Sequence, residues 1–258
     1  MKLKVAVFKF ASCDGCQLQF LNLENEILTV ADAVDFAFFP EARSRMLPGP
    51  YDLAFVEGSI STPEDARRIQ EVRAQSRSLV TIGACATAGG IQALRNWAEI
   101  EEFKRAVYPR PEWIQASSTS TPISEHVRVD FEVWGCPVDK RQLLEVLQRV
   151  AGGNRPVLPT HSVCMECKRR GNVCVVVTRG EPCLGPVTRT GCGALCPALG
   201  RGCYGCFGPA DDLRLQAFGD LLRAQGLSPE EITRRLRGIN GYSPPLRKAL
   251  EARPHDED

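Results

Sequence analysis

A chain of 258 residues, 43% of them hydrophobic, can bury the core of one large domain or two modest ones. Its net charge of +1 makes no bulk electrostatic case for nucleic acid or an anionic membrane as partner. No apolar run reaches the ~18 residues of a spanning helix, so no membrane span is expected. The first element is an alternating, β-branched strand over residues 2–10. The stretch CQLQFLNLENEIL then puts Leu18, Leu21, Ile27 and Leu28 at helical spacing. Strands follow at 34–39 and 51–58. Next comes a helix with Ser61 or Thr62 as N-cap, Pro63 in its first turn and acids just after it. Further strands are expected at 78–85 and 127–136, and a helix at 140–150. Strands alternating with helices predict an α/β fold with a mostly parallel, doubly wound sheet. The stretch AGGNRPVLPT at 151–160 reads as a linker. Residues 164–208 have little periodicity and much Cys, Gly and Pro, so this segment needs staples to hold a shape. A helix over about 211–224 and a second begun by the Ser228–Glu231 capping box close the pattern, with 252–258 a frayed end.

Twelve cysteines are many for a chain with no sign of secretion, and in a reducing compartment thiols serve more often as metal ligands than as disulfides. Cys13, Cys85 and Cys136 each follow a predicted strand, with Cys16 one Cys-x2-Cys step beyond Cys13. The carboxyl ends of parallel strands gather at one edge, where ligands bind, so these four can converge. Neighbouring glycines let backbone approach a bulky group. Taken singly, Cys85 and Cys136 also fit buried core thiols. The other eight run Cys164-x2-Cys167-x6-Cys174-x8-Cys183 and Cys192-x3-Cys196-x6-Cys203-x2-Cys206. Two groups of four suit two more iron–sulfur clusters. Zinc is the rival, since Cys-x2-Cys pairs at both ends resemble a ribbon, although the intervening spacings fit none well.

The stretches CDGCQLQFL, VEGSI, TIGACATAGGI, WGCPVDK, CLGPVT and GCGALCPALGRGCYGC resemble the small subunit of a [NiFe] hydrogenase. The resemblance covers most of residues 3–208. It implies a flavodoxin-like domain over 1–152 carrying a proximal cluster, and a largely irregular, cysteine-rich domain with short C-terminal helices over 153–258 carrying two more. Carried over, Cys13, Cys16, Cys85 and Cys136 would hold the proximal cluster. Cys164, Cys167, Cys174 and Cys183 would hold the distal one, and Cys192, Cys196, Cys203 and Cys206 the medial one. Periplasmic members place a histidine in the distal site and three cysteines around a medial [3Fe–4S] cluster. Here Cys196 offers a fourth medial ligand, so three [4Fe–4S] clusters are expected. With no twin-arginine leader in view, the chain is similar to the cytosolic branch, and a cytoplasmic location is expected. That branch includes NAD(P)-linked enzymes, sulfhydrogenases and F420- or heterodisulfide-linked enzymes. The membrane-bound branch and the related complex I subunit carry only the proximal cluster. The implied partners are a large subunit holding the Ni–Fe centre, where hydrogen is oxidised or protons are reduced, and a flavin or iron–sulfur electron carrier. The alternatives are an iron–sulfur subunit of a related complex without hydrogenase activity, or a zinc-stapled adaptor.

Several residues outside the cysteines have two readings each. His161 fits a loop position beside the distal group better than a ligand. Glu57 fits either proton traffic or a place at a helix N-terminus. Lys168, Arg169 and Arg170 read as a solvated face that could steer an acidic partner. GACATAGG lacks the lysine of a phosphate-binding loop, so no nucleotide is expected on this chain. Trp97, Trp113 and Trp134 read as packing or interface residues. Gly15, Gly58, Gly83 and Gly135 would leave a low rim for the partner.

Overall fold

The structure is a computed structural model that describes residues 2–30 and 32–251. Residues 252–258, read above as a frayed end, lie outside them. The chain divides into two compact units, Met1–Val157 and Leu158–Asp258.

In the first unit the strands β1 (Leu3–Lys9), β2 (Val34–Phe38), β3 (Tyr51–Glu57), β4 (Ser76–Ile82) and β5 (Phe131–Val133) form one parallel sheet in the order β2-β1-β3-β4-β5. This is the flavodoxin-like order, whose direction reverses between β1 and β3. Val5 to Phe8 and Leu53 to Val56 are buried without interruption, as strands covered on both faces must be. The helices are α1 (Gly15–Leu21), α2 (Pro63–Ala74), α3 (Gly83–Ala88), α4 (Ile100–Val107) and α5 (Lys140–Ala151). Thr62 caps α2. Its hydroxyl accepts from the Asp65 N–H and the Asp65 carboxylate accepts from the Thr62 N–H, both at 3.1 Å, with Pro63 first in the helix.

Three expectations change. The strand expected over 78–85 ends at Ile82, and Gly83–Cys85 open α3. The helix expected to continue through residue 28 ends at Leu21. Glu24 takes a positive φ of 48°, and Glu24–Thr29 forms a 3-10 turn. The buried face is Cys16, Gln17 and Phe20, because Phe20 packs edge-on against Phe55 at 4.9 Å and against Phe36 and Phe39. Leu18, Leu21 and Leu28 therefore turn outward, at 50%, 42% and 65% exposure. The strand expected over 127–136 shrinks to three residues. Asp130 sits before it, and its carboxylate accepts from the Leu79 N–H at 2.9 Å and from Arg73 at 2.6 Å, so a side chain replaces part of the ladder. Helices α3 and α4 add to the expected elements.

The second unit holds the short helices α6 (Val163–Arg169), α7 (Val175–Arg179) and α8 (Leu195–Ala198), then α9 (Leu215–Ala224), α10 (Pro229–Leu236) and α11 (Pro244–Glu251). Ser228 and Glu231 form the expected capping box on α10. Helix α9 starts four residues later than expected, since Asp211 is held by Arg189 at 2.7 Å and its N–H by Thr160 O at 3.1 Å. Around the cysteines a buried cluster comprises Val163, Val175, Cys183, Ala194 and Cys203. Such small residues release little free energy on burial, at ~25 cal/mol per Å². Among the described residues, no helix is long and apolar enough to cross a membrane.

Candidate metal centres

All twelve cysteines are free thiols. Cys13 and Cys16 follow β1, Cys85 lies in α3 just beyond β4, and Cys136 follows β5. These loops meet at the carboxyl edge of the sheet. The Ala84 N–H donates to Gly135 O at 2.7 Å, which ties the loop after β4 to the loop after β5. Gln92 donates to Ala11 O at 2.6 Å and accepts from the Cys85 thiol at 3.5 Å, which ties the loop after β4 to the loop after β1. The thiols feel one another across this edge. Burial first, then the charges of Glu57, Cys85 and Cys136, push Cys16 well above the ordinary thiol range. Burial, then Cys136, Glu57 and Cys13, push Cys85 up to about 11. Cys136 is raised by burial, then by Cys13 and Glu57.

Glu57, the last residue of β3, is 1% exposed. Its carboxylate accepts from the N–H groups of Cys16 at 3.1 Å and Gln17 at 3.3 Å in the first turn of α1. Burial raises its carboxyl, and these hydrogen bonds pull it partly back. Of its two readings, the geometry supports the helix-terminus role, in which Glu57 fixes the turn that carries Cys16.

In the second unit the thiols form two neighbouring groups. Cys164 is raised to about 11 by burial, then by Cys183, Cys167 and Cys174. Cys196 is raised by burial, then by Cys192 and Cys183. Burial, then Cys183 and Cys192, lift Cys203 to about 12, while the Gly205 N–H and the Thr188 hydroxyl act in the opposite sense. Cys183 thus faces both groups, and its sulfur accepts from the Cys203 N–H at 3.1 Å. Cys206 lies in the turn that the Gly208 N–H closes on Gly205 O at 3.2 Å. The two cysteine segments are knitted together by polar ties. Arg170 donates to Gly193 O, Arg179 to Gly200 O and the Thr190 hydroxyl to Glu166, while Glu181 accepts from the Gly202 N–H at 2.8 Å. Arg170 thus reaches the neighbouring loop while staying exposed, as Lys168 and Arg169 are. His161 contributes its backbone carbonyl, which accepts from the Thr190 N–H at 2.9 Å. Trp134 packs in the core, whereas Trp113 is 72% exposed beneath Arg110.

The surroundings fit a bulky inorganic group held by thiolates. At Gly83, where φ is +86°, a Cβ would overlap Cys16 Sγ, and at Gly90 it would come within 2.7 Å of Cys85 Sγ. At Gly185 it would lie 3.3 Å from Cys183 Sγ and 3.5 Å from Cys164 Sγ. Glycine is what lets backbone crowd the sulfurs. Two of the glycines expected to leave a low rim sit where backbone crowds: a Cβ on Gly58 would come within 2.5 Å of the Phe10 backbone in the loop after β1, and one on Gly135 within 2.6 Å of Pro137 O in its own loop. Buried thiols that repel one another as thiolates need a bound cation to stay ionised, which the iron of a cluster would supply. Among the described residues, no three His, Cys, Asp or Glu side chains close tightly around the position of one metal ion. Sequence reasoning did not find Gln92, Arg179, Glu166 or Glu181, because each is tied to a partner distant in sequence and leaves no local pattern.

The sheet order, with thiols gathered where its strands end, defines a flavodoxin-like α/β redox protein joined to a cysteine-rich unit. The family described as NADH ubiquinone oxidoreductase, 20 Kd subunit, matches residues 13–150. Sulfhydrogenase 2 subunit delta of Pyrococcus furiosus is 36% identical over 235 residues, 91% of this chain and 98% of its own length. One subunit of the F420-non-reducing hydrogenase vhu of Methanocaldococcus jannaschii is 30% identical over 277 residues, 95% of this chain and 96% of its own. A chain of the NAD+-reducing [NiFe]-hydrogenase, solved in the H2-reduced state, matches with a TM-score of 0.57 and 28% identity over 62% of this chain and 96% of that one. The chain belongs to this family, as a [NiFe]-hydrogenase small subunit. It is an electron-transfer subunit of an oxidoreductase complex, with iron–sulfur clusters as cofactors, paired with a large subunit on which the reaction of hydrogen takes place.

Proposed function

We propose that the chain holds three [4Fe–4S] clusters and relays single electrons between the Ni–Fe centre of the large subunit and an electron-carrier subunit. The observation that supports this reading is that the thiols of Cys13, Cys16, Cys85 and Cys136 lie toward one another, as do those of Cys164, Cys167, Cys174 and Cys183, with Cys192, Cys196 and Cys203 beside Cys183. The first set lies at the carboxyl edge of the sheet and the others are interlocked in the second unit. Cys13, Cys16, Cys85 and Cys136 are the proximal ligands in this reading. Cys164, Cys167, Cys174 and Cys183 are the distal ligands, and Cys192, Cys196, Cys203 and Cys206 the medial ones. When bound, such clusters supply one-electron oxidation and reduction, which the two electrons of H2 ⇌ 2H+ + 2e− require. The residues of this chain set positions and environments. Glu57 fixes the turn of Cys16, the Cys203 N–H donates to the Cys183 sulfur, and burial keeps water from Cys16, Cys183 and Cys203. Iron and sulfide assays on anaerobically prepared protein are expected to give about twelve irons per chain. About four irons would remove the assignment of the eight C-terminal cysteines. A colourless protein with zinc in place of iron would replace the reading by the stapled adaptor.

The large subunit is proposed to cover the carboxyl edge of the sheet. Support comes from Leu18 and Leu21, which α1 presents outward just beyond Cys16. Obligate contacts of this kind bury upwards of ~2,000 Å². A complex isolated through a tag on this chain is expected to contain a tightly held nickel-bearing partner. A soluble monomer that keeps all its iron without such a partner would count decisively against this assembly. In this reading the other end of the relay is a flavin or iron–sulfur carrier subunit, which suits relatives named as a sulfhydrogenase and as an NAD-reducing hydrogenase. A reducing compartment, the cytoplasm, suits twelve free thiols.

A further inference from the structure

The segment 238–243, between α10 and α11, lies outside every cysteine motif, yet it reaches one of the cysteine turns. Asn240 is 4% exposed, and its Nδ2 donates to Gly205 O at 2.8 Å. Gly205 sits inside Cys203-x2-Cys206 with φ +80°, and its own N–H points at Cys203 Sγ at 3.5 Å. The same carbonyl accepts from the Gly208 N–H at 3.2 Å, so the turn is closed on itself and clamped from outside. Asn240 Oδ1 has no protein partner, which leaves the amide donor as the group in use. Burying an amide is costly unless it is hydrogen-bonded, and here its one protein bond goes to a cysteine turn. A cavity of about 20 Å³ lies beside this contact, bordered by Leu184, Thr188, Gly205, Leu236 and Asn240, so the C-terminal helices close directly over the turn.

We propose that Asn240 is a positioning residue for the cluster held by Cys192, Cys196, Cys203 and Cys206. By gripping Gly205 it keeps the Gly205 N–H aimed at the Cys203 sulfur, and the helices α9 to α11 act as a clamp on that cluster. The inference rests on the ligand reading given above. A hydrogen bond to a ligand sulfur favours the reduced, more negative cluster, so loosening the turn lowers its potential.

The test uses the whole complex and an EPR-monitored redox titration. Asn240→Leu keeps the approximate shape and removes the donor. At a fixed potential, the reduced-to-oxidised ratio of this one cluster is expected to fall about tenfold, a shift of ~59 mV for one electron. The other clusters are expected to keep their potentials. Asn240→Gln keeps an amide donor and is expected to return the potential toward the parent value. Ser243→Ala is the control, since Ser243 is buried in the same segment with its hydroxyl unpartnered, and removing it leaves the turn alone. An assembled Asn240→Leu complex with the parent potential overturns the proposal. So does failure of both Asn240 variants to assemble while Ser243→Ala assembles, because Asn240 would then only pack the helices. A parent complex without a cluster in this group removes the ligand reading itself, which separates the two failures.

Discussion

Gly83→Ala is expected to cost the complex about a third of its iron, four of about twelve per chain, and to erase the signal of the cluster at the sheet edge. Gly83 opens α3 at φ +86°, between the sulfur of Cys16 and the carbonyl of Gly135. Two penalties meet there. A left-handed backbone costs an L-residue roughly 1–2 kcal/mol. The new methyl would also overlap Cys16 Sγ, which cannot withdraw easily because its backbone N–H is tied to Glu57. The sulfur must move, and with it one corner of the site. Gly153→Ala separates the two penalties, since Gly153 has φ +72° with nothing within 4 Å of the added methyl. It is expected to lower stability slightly and to keep all the iron. Iron assays and EPR spectra of the reduced complexes check both variants. Full iron in Gly83→Ala, or an equal loss in Gly153→Ala, would show that Cys16 does not face a cluster at this point.

The parts of the fold that local chemistry dictates were legible in the sequence. Thr62, Pro63 and the acids after them announce α2, and Ser228 with Glu231 announces α10, because a cap is satisfied within four residues. The sheet was legible because doubly covered strands are apolar runs, and a cysteine just past such a run must lie at the carboxyl edge. What depended on distant partners was not legible. Leu18 and Leu21 match a helical stripe, but the aromatic group of Phe36, Phe39 and Phe55 draws Phe20 inward and turns those leucines out. Asp130 shortens β5 by bonding to Leu79 and Arg73, neither adjacent to it in sequence. Spacing assigns Cys183 to one quartet, yet it faces both, because the Cys203 N–H and the Leu184 N–H bind the two segments edge to edge.

Cys196→Pro is expected to turn one cluster into a three-iron cluster, seen as a new [3Fe–4S] EPR signal in the oxidised complex with a loss of about one iron per chain. Cys196 is the second residue of α8, in the first turn, where a missing N–H breaks no intrahelical bond. The substitution removes the thiol at a position where a proline ring takes away no needed donor. That thiol is raised by burial and then by Cys192 and Cys183, which places it toward the sulfurs of its own group and toward the bridge to the next. The three remaining thiolates, Cys192, Cys203 and Cys206, keep their backbone ties: the Cys203 N–H on Cys183, and the Gly205 carbonyl gripped by Asn240. The site should therefore persist with one corner open. Loss of about four irons with no new signal would still make Cys196 a ligand, one without which the group cannot hold iron. An unchanged iron content and no new signal would mean that Cys196 holds no iron, and the four-cysteine reading of this group would fall.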